Sequence, residues 1–107
     1  MVEVDLVTFA AAHSEGAVVI DVREPHEYMA GHVADARLVP LGHLPAYAAE
    51  IPRGEPVFVI CSNGNRSGIA SDYLDRLGVR AYAVAGGTTA WQQAGRLLVT
   101  GPRPRAA

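Results

Sequence analysis

The sequence predicts a three-layer α/β/α domain with a central, mainly parallel five-stranded sheet. Short β-branched runs alternate along the chain with stretches of helical periodicity, and parallel neighbours in a sheet need such crossovers between them. Three polar or flexible positions, Asp21, Cys61 and Gly86, fall just at the carboxyl ends of predicted strands, the edge where α/β sheets collect their reactive groups. No repeat or low-complexity block interrupts the alternation before the end of the chain, so residues 1–98 read as one domain and 99–107 as a flexible tail.

The elements follow in order. Val2 to Val4 forms a brief first strand, and Asp5 caps a small helix whose Leu6, Phe9 and Ala10 share a face until Gly16 stops it. Ala17 to Ile20 is a buried parallel strand ending at Asp21. Pro25 suits the first turn of a short helix through His26 to Met29, closed by Gly31. Arg37 to Val39 is a weaker strand, and Leu44, Tyr47, Ala48 and Ile51 mark a helix ended by Pro52 and Gly54. Pro56 to Ile60 carries the strongest strand signal and runs directly into Cys61. Beyond it Ile69, Tyr73, Leu74 and Leu77 form an apolar helical stripe stopped by Gly78. Ala81 to Ala85 is the last strand, Gly86-Gly87 the turn, and Thr88 the cap of a final helix whose Trp91 packs on the sheet.

Composition excludes several classes of function. The chain has 107 residues, half of them hydrophobic, a net charge of -2, nine arginines and no lysine, a balance that folds and lacks the clustered base a nucleic-acid backbone requires. The arginines of the terminal segment Arg96 to Arg105 are broken up by proline and glycine and read as a solvated terminus. The acidic start and the absence of any run of roughly 18 apolar residues predict neither export nor a membrane anchor. One cysteine permits no internal disulfide and no multi-thiolate metal site, and a reducing, cytoplasmic setting is expected. His13, His26 and His43 are scattered over predicted surface positions without metal-ligand spacing, and His32 reads as a hydrogen-bonded packing residue. No metal or cofactor is expected.

The chemistry lies in Cys61-Ser62-Asn63-Gly64-Asn65-Arg66-Ser67, a polar, glycine-bearing segment between a buried strand and an amphipathic helix. Such a loop curls so that backbone N–H groups point inward, and the following helix adds its positive end at the same place. A thiol in that field ionises readily, its pKa falling to roughly 3.5–7.5. The competing reading is an inert, buried cysteine, but asparagine, glycine, asparagine and arginine directly after it suit a nucleophile approached by an anion. Arg66 pairs with a surface carboxylate, Glu24 or Asp72, or else contacts an anion or braces the loop. Asp21 orients loop N–H groups or caps the next turn, and Arg23 gathers anions at the mouth or is simply solvated.

In these motifs the chain resembles the rhodanese homology domain over nearly its whole length. Asp21-Val22-Arg23-Glu24 with Glu27-Tyr28 resembles that family's strand-end acidic motif and next helix. Gly31-His32-Val33 with Ala36 and Pro40 is similar to its Gly-His-Ile, Gly-Ala and Ile-Pro segment, and Val84 to Trp91 to its closing Gly-Gly-x-x-x-Trp. Cys61 to Ser67 then corresponds to the active-site loop. Ala34-Asp35 and Thr88-Thr89 depart from the usual residues, at positions expected to lie outside the chemistry.

The resemblance implies a sulfurtransferase: Cys61 attacks the outer sulfur of thiosulfate or a similar donor, and the resulting persulfide passes its sulfur to a thiol or cyanide. It implies Cys61 as the catalytic residue, Ser62, Asn63, Gly64, Asn65, Arg66 and Ser67 as the substrate cradle, and Asp21 and Arg23 as supporting residues. The implied partners are a small anionic donor, an external thiol acceptor and a sulfur-accepting protein, with no nucleic acid or membrane. Because no second thiol exists in the chain, the acceptor comes from outside. Two alternatives stand beside this reading. One is a non-catalytic binding or regulatory module on the same fold. The other is a phosphatase or arsenate-reductase-like enzyme, although those related enzymes use a Cys-x5-Arg cradle and here Cys61 and Arg66 enclose only four residues.

Overall fold

Five parallel strands, in the order β1-β5-β4-β2-β3, form a single sheet in a computed structural model that describes residues 1–105. They are β1 (Val2–Val4), β2 (Val18–Asp21), β3 (Arg37–Leu38), β4 (Pro56–Ile60) and β5 (Arg80–Val84). Every neighbouring pair is parallel, and Asp21 lies level with Ile60 on β4 and Leu38 on β3. The central position of β4 follows from its composition, since its inner residues are buried on both faces. Its end therefore delivers Cys61 to the middle of the carboxyl edge.

Strand alternation sorts the core into two layers. Phe58 and Ile60 face α1 (Leu6–Ser14) and α5 (Gly87–Gln93), where Phe9 and Trp91 meet edge-on with ring centroids 5.5 Å apart. Val57, Val59 and Cys61 face the other way, toward α3 (Leu44–Tyr47) and α4 (Asn65–Arg76). A short α2 (Pro25–Ala30) packs its Tyr28 with the first layer. Among the described residues no helix is long and apolar enough to cross a membrane.

The structure departs from the sequence expectations in four places. The segment expected as one helix, Leu44 to Ile51, is a single α-turn between two tight 3-10 turns, Leu41–His43 and Ala48–Glu50. On α4 the apolar stripe is only partly the buried face, since Leu74 is in the core and Tyr73 packs against it while the other two members are not. Ile69 is 62% exposed and Leu77 41%, whereas Ser67, Gly68, Ala70, Ser71 and Leu74 are buried. Small residues let this helix sit close to the sheet, and hydrophobicity alone does not mark that face. His13, read as a surface residue, is half-buried and meets Trp91 edge-on at 5.2 Å.

The fourth departure concerns the segment expected to be a flexible, solvated tail. Val99 exchanges two backbone hydrogen bonds with His32 at 2.9 and 2.8 Å, and Gly101 N–H donates to the Met29 carbonyl at 2.8 Å. His32 is fully buried and stacked on Tyr28 at 3.6 Å, with Nε2 2.7 Å from the Arg103 carbonyl. These backbone partners hold residues 99–105 against the domain. They arise from chain direction and spacing, which side-chain composition does not encode.

The split of the stripe on α4 between buried and exposed positions gives a direct test. Leu74→Ala should cost about 2–5 kcal/mol, the range for emptying a well-packed leucine site. Ile69→Ala should fall within roughly 0.5 kcal/mol of wild type. Urea unfolding of both variants measures this, and comparable losses would contradict the assignment of the buried face.

Candidate active site

The loop after β4 curls around the Cys61 sulfur. Gly64 adopts φ +104°, a left-handed conformation that side chains resist, and a Cβ there would meet nothing closer than 3.6 Å. Conformation, not space, requires the glycine. That turn brings the Gly64 N–H to 3.1 Å from Sγ and the Ser67 N–H to 3.3 Å, at the first turn of α4. The thiol donates to Ser67 Oγ at 3.5 Å, and that hydroxyl donates to the Gly64 carbonyl at 3.1 Å. Cys61 itself is fully buried.

Burial pushes the thiol up. Hydrogen bonds from the Ser67 hydroxyl, which turns from the Gly64 carbonyl to the sulfur once the thiol has lost its proton, and from the Ser67, Gly64 and Asn63 amides outweigh it and bring the thiol below its ordinary value. The helix end reinforces this by directing partial positive charge at the sulfur. The cysteine singled out in the sequence thus sits among backbone amides and a hydroxyl that together lower its thiol.

A second set of bonds holds the loop from behind. Cys61 and Ser62 turn their carbonyls toward the start of α5, where Thr88 N–H donates to the Cys61 carbonyl at 2.8 Å and Thr89 N–H to the Ser62 carbonyl at 3.0 Å. Thr88 Oγ1 adds a bond to the same Cys61 carbonyl at 3.1 Å. Gly87 makes the approach possible, since a Cβ there would lie 2.3 Å from the Cys61 oxygen and 2.7 Å from the Ser62 oxygen. Thr88 was expected to cap this helix and to lie outside the chemistry. Gly86 occupies the cap instead, and Thr88 is buried one residue inside, bonded to the backbone of Cys61. No sequence signal for that contact exists beyond the adjacent glycines.

The arginines differ most from expectation. Arg66 pairs with neither Glu24 nor Asp72. Its Nη1 and Nη2 reach the two oxygens of Glu27 at 2.6 and 2.8 Å, and Nη2 also donates to Ser62 Oγ at 3.1 Å. Ser62 donates in turn to Glu27 Oε2 at 3.0 Å, and the Glu24 N–H donates to Oε1 at 3.0 Å. Arg66 above all holds the Glu27 carboxyl far below the usual carboxylate range, against the opposing effect of burial. Arg23 is neither solvated nor free at the mouth. It is 5% exposed, bonded to both Asp21 oxygens, with Nη2 2.8 Å from Asp21 Oδ2 and 2.8 Å from the Gly31 carbonyl. Asp21 is fully buried and accepts from the Arg23 N–H and side chain rather than from the Cys61 loop. Asn63 and Asn65 are exposed, with the Asn65 N–H donating to Asn63 Oδ1 at 3.3 Å.

Beside the loop lies a cavity of about 180 Å³ lined by Arg23, Glu27, Gly31, Ser62, Thr88 and Leu98 among others. A larger hollow of about 470 Å³ opens at the opposite end of the strands, around Gly16 to Ile20, away from the nucleophile.

A family model, the rhodanese-like domain, matches residues 7–94. The chain belongs to the rhodanese-like domain family. The thiosulfate sulfurtransferase GlpE of Stutzerimonas stutzeri is 32% identical over 83 residues, spanning 77% of this chain and 76% of that protein. The uncharacterized protein YqhL of Bacillus subtilis is 41% identical over 76 residues, which cover 70% of this chain but only 60% of YqhL. The crystal structure of a rhodanese-related protein from Thermoplasma volcanium matches with a TM-score of 0.87 at 29% identity, covering 92% of this chain and 98% of that one. The resemblance read from the motifs therefore holds at the level of family and fold, and the rhodanese-like α/β architecture is the one expected.

Within this rhodanese-like domain the sulfur's environment is open to titration. Thiolate absorbance should give Cys61 a midpoint below the ordinary cysteine value of about 8.5. Ser67→Ala, which removes the hydroxyl donor, should move that midpoint upward. An unshifted midpoint in the folded variant would show that the amides alone set the thiol.

Proposed function

We propose that this rhodanese-like domain is a sulfurtransferase that carries sulfur as a persulfide on Cys61. The observation that carries this reading is the ring of donors around Sγ, which lowers the thiol and is ready to accept negative charge one atom further out. In the first half-reaction the Cys61 thiolate attacks the outer sulfur of thiosulfate. The new S–S bond forms as the old one breaks, and its electron pair leaves with sulfite. The enzyme keeps an anionic persulfide, so one difficult transfer becomes two easier ones. The inward N–H groups stabilise the charge at each stage. In the second half-reaction an external thiol or cyanide attacks the terminal sulfur and the Cys61 thiolate leaves. A chain with one cysteine cannot resolve the persulfide internally.

The donor reaches a fully buried sulfur, so a small displacement of the loop side chains accompanies its entry. The names of the GlpE relatives support thiosulfate as a donor. Phosphatase-like chemistry is disfavoured by the bonds Arg66 already makes. An arginine clamped by Glu27 and Ser62 is not free to hold a tetrahedral oxyanion. A lone free thiol also fits a reducing compartment.

Mass spectrometry tests the proposal. Reduced protein incubated with thiosulfate should gain the mass of one sulfur atom on Cys61, lose it to cyanide as thiocyanate, and gain nothing as Cys61→Ser. Unchanged mass with thiosulfate, mercaptopyruvate and glutathione persulfide alike would favour a binding module instead.

A further inference from the structure

Two arginines stand beside the candidate site, and both are neutralised. Arg23 is closed off in a buried pair with Asp21 at 2.8 Å. Arg66 is engaged by both oxygens of Glu27. Glu27 is the more telling of the two acids, because most of its acceptor capacity is directed at the loop. It takes both guanidinium nitrogens of Arg66, the Ser62 hydroxyl and the Glu24 N–H. It also lines the cavity beside the loop together with Ser62. The pair is only partly exposed, with 33% of the Arg66 and 24% of the Glu27 side-chain surface open, so solvent screens it incompletely.

A site that draws in a dianion gains from an unpaired cation at its mouth. Here the one suited to that task faces a carboxylate instead. Resting on the sulfurtransferase reading, we propose that Glu27 is a specificity-determining residue. By neutralising Arg66 it tunes the site away from dianionic donors such as thiosulfate and toward sulfane sulfur carried on a thiol. With that donor the Cys61 thiolate attacks the outer sulfur of a neutral persulfide R–S–SH. The S–S bond of the donor breaks as the new one forms, the carrier leaves as the thiolate RS⁻, and Cys61 keeps the sulfur as Cys61–S–SH. Charge passes from one sulfur to another without a dianion entering or leaving, so the neutral mouth costs this reaction nothing.

A charge cycle distinguishes this from mere bracing of the loop. Glu27→Gln leaves Arg66 uncompensated and should lower the KM for thiosulfate about fivefold, the scale of one unit charge acting near the surface. Arg66→Gln leaves the carboxylate uncompensated and should raise that KM by a similar factor, and the double variant should return close to wild type. The KM for the persulfide of N-acetylcysteine methyl ester should stay within about twofold throughout, since that donor carries at most one negative charge, on the S–SH group, and reacts as its protonated form. Should Glu27→Gln fail to fold, Arg66→Gln still tests the proposal by the contrast between donors: the thiosulfate KM should rise while that of the persulfide stays within about twofold, and an equal rise for both would overturn it. Single variants that lower kcat for both donors alike, or that move the thiosulfate KM in the same direction, would overturn the proposal and make Glu27 a brace. Wild-type protein that takes sulfur from neither donor would instead overturn the sulfurtransferase reading and this inference with it.

Discussion

The grip of the α5 amino terminus on the carbonyls of Cys61 and Ser62 is the constraint on which the rest of the site depends. A peptide unit is planar, so fixing where its carbonyl points also fixes its N–H. With the two carbonyls turned outward to Thr88 and Thr89, the following amides are free to turn inward. The left-handed Gly64 completes the curl. Gly87 permits the contact, the loop follows from it, and the lowered thiol follows from the loop. The sheet's parallel order is what brings the ends of β4 and β5 side by side, so that the strand bearing the nucleophile and the helix bearing the clamp leave from neighbouring positions.

Around this clamp, charge is arranged in closed pairs. Asp21 and Arg23 are buried together, where removing either partner would strand the other at a cost of about 3–5 kcal/mol. Glu27 and Arg66 join α2 to the loop across 39 residues of sequence. The first pair fixes the turn after β2 to the Gly31 carbonyl, and the second fixes the outer wall of the cradle. The sulfur is therefore activated by backbone dipoles and one hydroxyl, not by a neighbouring cationic side chain. The backbone part of that environment is fixed by the fold before any ligand arrives.

Much of the fold was legible in the residues because strands and glycines announce themselves. Pro56 to Ile60 is β-branched and aromatic and became the central strand with the boundaries expected. Gly64 and Gly86 mark turns for local steric reasons, and the position of Cys61 follows from the strand that ends before it. Legibility failed where the determining contact lies far away in sequence. Thr88 looks like a helix cap and acts on Cys61, 27 residues earlier. Arg66 had several carboxylates within plausible reach, and only the packing of α2 selects Glu27. Apart from Leu74, the buried face of α4 is made of serine, glycine and alanine, residues that hydropathy ranks below the exposed Ile69. The terminal segment is held by main-chain bonds, to which its proline- and arginine-rich composition gives no clue.

The clamp is tested most directly by Gly87→Ala, whose added methyl would press on the Cys61 and Ser62 carbonyl oxygens. The measurement is the midpoint of Cys61 thiolate formation by ultraviolet absorbance, with circular dichroism on the same sample to show that the sheet is intact. If the α5 contact organises the loop, the midpoint rises toward the ordinary cysteine value of about 8.5 in a protein that remains folded. A folded variant whose midpoint matches wild type would contradict the account, because the donors around the sulfur would then hold their places without the clamp.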